Sequence, residues 1–246
     1  MNLALDIHTF SGRFSREAES RGFQGKSLVE TDAGPVTVWE RGLTGPLVYV
    51  SSGIHGDEPA GPLAMLALLE AGCFKPDIRW TLCPVINPDG LKAATRHNAA
   101  GIDLNRDYLK RRSVEIAAHA AWLENLPVPD LFLSLHEDCD TSGFYLYEIS
   151  QGGDSPGRAS SILKAVSALV PIECAAEIDG HVPNGEGWIF HTPEADEPEG
   201  WPEAIFLAKL GCPLSFTFET PSRLPLAQRV AAHVSAVEAA LQTRFC

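Results

Sequence analysis

The chain has 246 residues, 45% of them hydrophobic and 21% charged, with a formal net charge of −13. Length and composition fit one large soluble domain spanning residues 1–246. The acidic balance argues against a nucleic-acid partner, which needs clustered Lys and Arg. No run approaches the roughly 18 apolar residues that would suggest a membrane span.

In chain order, the N-terminal segment carries Asp6 and His8 where a secretory leader needs an unbroken apolar stretch, so a cytoplasmic protein is expected. Val36–Glu40 and Leu47–Ser52 read as strands, Pro59–Glu70 as a helix and Arg79–Ile86 as a strand. Lys110-Arg111-Arg112 reads as a short solvated patch before a helix over Val114–Leu123. Strands follow over Leu131–His136 and Phe144–Ile149, and helices over Ser160–Leu169 and Glu203–Leu210. A strand over Leu214–Glu219 and a helix over Leu226–Gln242 complete the series. Several strands are continuously apolar, as in sheets covered on both faces. The alternation predicts an α/β layer fold with a mostly parallel or mixed sheet. Six cysteines lie far apart with no Cys-x-x-Cys pair, which predicts reduced thiols, mostly in or near the core.

The polar residues with chemical potential fall at strand ends, where α/β sheets collect their sites. Gly53-Ile54-His55-Gly56-Asp57-Glu58-Pro59 sets an imidazole and a carboxylate three residues apart in a turn that enters a helix. Both are good zinc ligands; a surface turn with a helix-capping acid is the competing reading. His136 ends a strand apolar enough to be buried, so it needs a hydrogen-bond partner or a metal. Cys139 is a weaker candidate ligand. Asn87-Pro88-Asp89-Gly90 carries strong turn signals and opens a long loop that contains Arg96 and Arg106. These guanidiniums suit a substrate carboxylate or ion pairs that tie the loop down. Glu219 closes an apolar strand before Pro221, as a desolvated proton acceptor or as an edge cap paired to Arg.

Taken in order, His55-x-x-Glu58, Asn87-Pro88-Asp89-Gly90, Arg96, Asp103-x-Asn105-Arg106, His136 and Glu219 resemble the motif series of the carboxypeptidase A-like zinc carboxypeptidases over residues 47 to 222. The resemblance implies an α/β/α sandwich around a mixed, mostly parallel sheet of about eight strands, holding one Zn2+ per chain. His2Glu is the zinc set of carboxypeptidase A itself, and by resemblance His55, Glu58 and His136 are the ligands. Asp103 is then the acid that orients the His55 ring, Glu219 the general base and acid, and Arg96 the group that steadies the oxyanion. Asn105 and Arg106 resemble the pair that grips a free terminal carboxylate. The implied reaction is hydrolysis of a C-terminal peptide or peptide-like amide by zinc-activated water.

The chain departs from that family in two respects. It has no Tyr after Tyr147 to serve as the family's mobile tyrosine, so substrate closure should differ, with His191–Pro202 and Trp188 or Trp201 as candidates. Glu58 and His136 are only 78 positions apart, so some family loops should be trimmed. Both features are similar to small bacterial members, including murein peptide amidases. The alternative is a zinc amidohydrolase of the succinylglutamate desuccinylase and aspartoacylase type, acting on small N-acyl amino acids. A noncatalytic binding domain on the same scaffold is a third reading. The excess of acids, including Glu194–Glu199, suggests basic or amino-bearing substrates.

Overall fold

The carboxylate of Asp6 accepts the Thr9 N–H at 3.2 Å and starts helix α1 (Ile7–Ser20). Ile7, Phe10, Phe14 and Ala18 recur at helical spacing and form its buried stripe. A side chain as buried as Phe14 contributes on the order of 2 kcal/mol by leaving water. The computed structural model describes residues 5–153, 155–194 and 199–245.

Strands β1 (Gln24–Thr31) and β2 (Gly34–Arg41) form an antiparallel pair, with a register shift between Ser27 and Val29. β3 (Leu47–Ser52), β4 (Arg79–Cys83), β5 (Leu131–Asp138) and β8 (Leu214–Pro221) are the parallel centre of the sheet. With β6 (Tyr145–Ser150) and β7 (Trp188–Phe190) they complete eight strands in the order β1-β2-β4-β3-β5-β8-β6-β7. The mixed sheet has four parallel pairings out of seven.

Alternate strand residues serve opposite faces. Val48, Val50, Leu131, Leu133 and Leu135 pack with α1, α2 (Ala60–Ala71), α5 (Pro156–Val166) and α7 (Leu226–Phe245). Tyr49 and Phe132 pack on the other side with α4 (Val114–Leu123) and α6 (Glu203–Lys209). The result is the α/β/α sandwich that the motifs imply.

Several elements differ from the sequence reading. The Arg79–Ile86 strand stops at Cys83 because Pro84 follows, and the expected Ser160–Leu169 helix runs over Pro156–Val166. The long loop predicted after Asn87 begins as helix α3 (Pro88–Ala93), with Asn87 as its cap and Pro88 in its first turn. Turn and helix-start signals are the same chemistry here. Cys83 and Cys212 are buried, whereas Cys139 and Cys174 are exposed, so the thiols are less uniformly interior than expected; Cys246 lies outside the described residues. Each member of the basic triplet meets an acid: Lys110 meets Glu199, Arg111 meets Glu124 and Arg112 meets Asp107. Among the described residues no helix is long and apolar enough to cross a membrane.

Candidate metal centre and cleft

The parallel strands point the same way, and the carboxyl ends of β3, β5 and β8 bring His55, His136 and Glu219 to one cleft, while Asn87 after β4 packs against the His55 loop. After β3 the chain turns at Gly53, whose φ of 60° suits glycine. Gly53 O accepts the Asn87 N–H at 2.8 Å, and Asn87 Nδ2 donates to Ile54 O at 3.2 Å. Gly56 lies against α3 so closely that a Cβ there would fall 1.8 Å from the Gly90 carbonyl carbon. Asn87-Pro88-Asp89-Gly90 is therefore the bed on which the His55 loop rests.

On that bed, His55 Nδ1 lies 2.6 Å from Glu58 Oε1, and His136 Nδ1 lies 3.0 Å from Glu58 Oε2. Donor atoms of the three side chains all lie within 4.8 Å of one another, and all three residues are buried. Burial works against charge on His55, but Glu58 and Asp103 outweigh it and raise that imidazole to about 9. Burial also opposes charge on Glu58, yet both imidazoles hold its carboxyl well below the usual range. For His136 burial prevails over Glu58 and the pKa falls. A buried carboxylate facing two inward-turned imidazole nitrogens is a donor set that fits a tetrahedral cation such as zinc.

His55 Nε2, on the far side of its ring, is 3.3 Å from Asp103 Oδ1, although the angle is poor for a hydrogen bond. Arg96 sends Nε and Nη2 to Asp103 Oδ2, each at 3.0 Å, and places Nη1 at 3.4 Å from His55 Nδ1. Burial would raise the Asp103 carboxyl, but His55, Arg96 and Arg106 hold it low. Both alternatives for Arg96 are thus visible together: it is ion-paired, and it borders the cluster. Asn105 Oδ1 accepts the Glu203 N–H at 3.0 Å, and Asn105 and Arg106 both line the cleft. Glu219 is the register partner of His136 across β5 and β8. Burial pushes its carboxyl well above the ordinary value, and the nearby acids Glu58, Asp138 and Asp179 add to the shift.

The cleft has a volume of about 1130 Å3. Tyr145 and Tyr147, neither assigned a part from sequence, also line it, Tyr145 as the register partner of Glu219, and donate to Asp138 and Asp179 at 2.9 and 2.6 Å. Trp188, expected to help close the site, is a core residue of β7 only 6% exposed, and Trp201 is half-buried against apolar side chains. His191 and Pro202 do line the cleft, while residues 195–198 of the acid-rich stretch lie outside the described residues. Cys139 sits with Asp138 and Asp140 in a separate, more exposed group, apart from the His55 cluster.

Sequence reasoning missed the support behind the site: Glu137 pairs with Arg229, and Thr220 with His233. Burial lifts Glu137 to about 7, with Arg229 and the Ala60 N–H pulling it back. It also missed a buried relay. The Tyr108 hydroxyl lies 2.8 Å from His119 Nδ1, and His119 Nε2 lies 2.9 Å from the Tyr49 hydroxyl, which donates to Glu203 Oε1 at 2.7 Å. Ser51 donates to Glu203 Oε2. Since Tyr49 donates onward to Glu203, His119 carries its proton on Nε2 and accepts from Tyr108. The only signal was a set of single polar residues inside apolar runs.

The chain is similar to known proteins in both fold and sequence. A crystal structure of "a putative metallopeptidase" from Shewanella denitrificans superposes with a TM-score of 0.85 at 25% identity, covering 97% of this chain and 90% of that one. A probable carboxypeptidase 2 of Trichophyton verrucosum is 37% identical over 73 residues, which are 26% of this chain and 14% of the fungal protein. Murein peptide amidase A of Vibrio campbellii is 34% identical over 85 residues, a third (33%) of each chain. The model of the succinylglutamate desuccinylase/aspartoacylase catalytic domain matches residues 44–183, which include His55, Glu58, Arg96, Asp103, Asn105, Arg106 and His136 but not Glu219. That match covers more than half of the sequence, and the chain belongs to this catalytic-domain family.

Proposed function

We propose that the protein is a zinc-dependent hydrolase that cleaves the amide bond of a peptide or peptide-like substrate next to a free carboxylate. The observation that carries this reading is the convergence of His55, Glu58 and His136 at the wall of an open cleft that also presents Glu219, Arg96, Asn105 and Arg106. Zinc held by those three side chains would supply a Lewis acid that polarises the carbonyl and acidifies water. Asn105 Nδ2 and the Arg106 guanidinium bind the substrate carboxylate and orient the bond. Glu219 takes a proton from the attacking water on a carboxylate oxygen and returns it to the leaving nitrogen. Arg96, steered by Asp103, faces the developing oxyanion; loss of one such contact costs on the order of 3 kcal/mol.

A cleft of about 1130 Å3 is roomy for a small N-acyl amino acid, which favours peptides. The desuccinylase/aspartoacylase match favours the N-acyl reading. Hydrolysis of short peptides and of N-acyl amino acids by zinc-loaded protein separates them. Turnover of peptides with free but not amidated C-termini is expected, and turnover of N-acyl amino acids alone would transfer the assignment to that class. Binding of both without turnover would leave a noncatalytic domain.

A further inference from the structure

Helix α7 runs behind β5 and β8, and Arg229 and His233 lie four residues apart on one of its faces. They are 5% and 0% exposed. Arg229 Nη1 makes a close ion pair with Glu137 Oε2, and Glu137 Oε1 accepts the Ala60 N–H at 2.7 Å. His233 Nε2 lies 3.2 Å from Thr220 Oγ1. Glu137 and Thr220 are register partners, one step beyond the pair His136 and Glu219. Successive side chains alternate faces, so α7 grips the strand pair directly behind the residues that face the site.

Ala60 opens α2 two residues after Glu58, and Pro59 offers that helix no side-chain cap. Glu137 supplies the missing acceptor from a neighbouring strand, and an anion at a helix N-terminus is electrostatically favoured. One carboxylate is thus adjacent in the chain to His136, hydrogen-bonded to the helix that follows Glu58, and held by α7. Buried ion pairs add little net stability compared with well-packed apolar pairs, so stability alone is a weak reason for this one.

We propose that Glu137 and Arg229 are positioning residues that fix the spacing of His136 relative to Glu58 and thereby set the metal affinity of the cluster. The inference rests on the metal-centre reading above. It is tested by zinc affinity from chelator competition, by thermal stability of the metal-free protein and by the absorption spectrum of the cobalt(II)-substituted protein. The variants are Glu137→Gln, Arg229→Lys and the double variant Glu137→Met/Arg229→Met, which leaves no lone charge.

The double variant should fold but bind zinc at least about tenfold more weakly, the scale seen for partners that orient metal ligands, with an altered cobalt spectrum. Glu137→Gln, which keeps an acceptor for Ala60, and Arg229→Lys, which keeps the charge, should fall between it and wild type. Wild-type zinc affinity and cobalt spectrum in the folded variants, whether or not their metal-free stability has dropped, would overturn the proposal. If the double variant does not fold, the two single variants decide on the same readouts. Failure of the wild type to bind zinc would overturn the functional reading and this inference together, whereas unchanged variants beside a zinc-binding wild type would overturn the inference alone.

Discussion

Glu219 combines a cleft position with a carboxyl pushed upward by burial and by the acids around it. Glu219→Gln keeps size and hydrogen bonding but cannot carry the proton, so it should retain zinc and lose about 100-fold or more in turnover; steady-state kinetics beside metal analysis checks both halves. Glu203 is a different case. Burial raises its carboxyl to about 7 despite the bonds from Ser51 and Tyr49. A raised carboxyl favours folding below its unfolded value, and that advantage disappears as pH climbs from 4.5 through about 7. The loss is on the order of 3 kcal/mol. Glu203→Gln stays neutral, so its melting temperature should fall less than that of wild type between pH 5 and pH 8. Equal pH slopes would refute the assignment. The buried imidazoles of His119 and His233, both lowered to about 3 by burial, act in the opposite direction: their contribution is lost as pH falls below 6.5.

At the level of elements, the loop between His55 and Glu58 depends on its approach to α3. Gly56→Ala would force a methyl group into the Gly90 backbone and break the Gly56 N–H bond to Thr95 O, now 3.0 Å. Zinc affinity in this variant should fall more than tenfold; calorimetric titration measures it, and wild-type binding would show that the loop can relax. These same elements show what could be read from the chain. The strands of the parallel centre were legible because they are apolar throughout, and the polar residues that end them stand out by contrast. β1 was not legible, because it is largely exposed and lacks clear alternation. Asn87 to Gly90 revealed a change of direction but not that the change begins a helix. Arg229 and His233 gave no local signal at all, since their meaning depends on strand partners 92 and 13 residues away in the chain.

For the molecule as a whole, a cation that binds only the folded state adds stability by mass action. Free zinc at about 100 times its dissociation constant corresponds to roughly 2.7 kcal/mol, or a melting temperature about 5–10 °C higher for a chain of this size. Scanning calorimetry with chelator and then with restored zinc tests this. The core on both faces of the sheet does not involve the cluster, so the stripped protein should remain folded.

The two margins of the sheet have a consequence of their own. An unpaired border strand displays amide and carbonyl groups that another molecule could adopt as a template. Here one border is kinked between Ser27 and Val29 and carries Lys26 and Glu30, while the opposite border is a ribbon only three residues long. Neither border offers a long, flat, greasy rail to a further strand, so the sheet presents no ready template for edge-to-edge pairing.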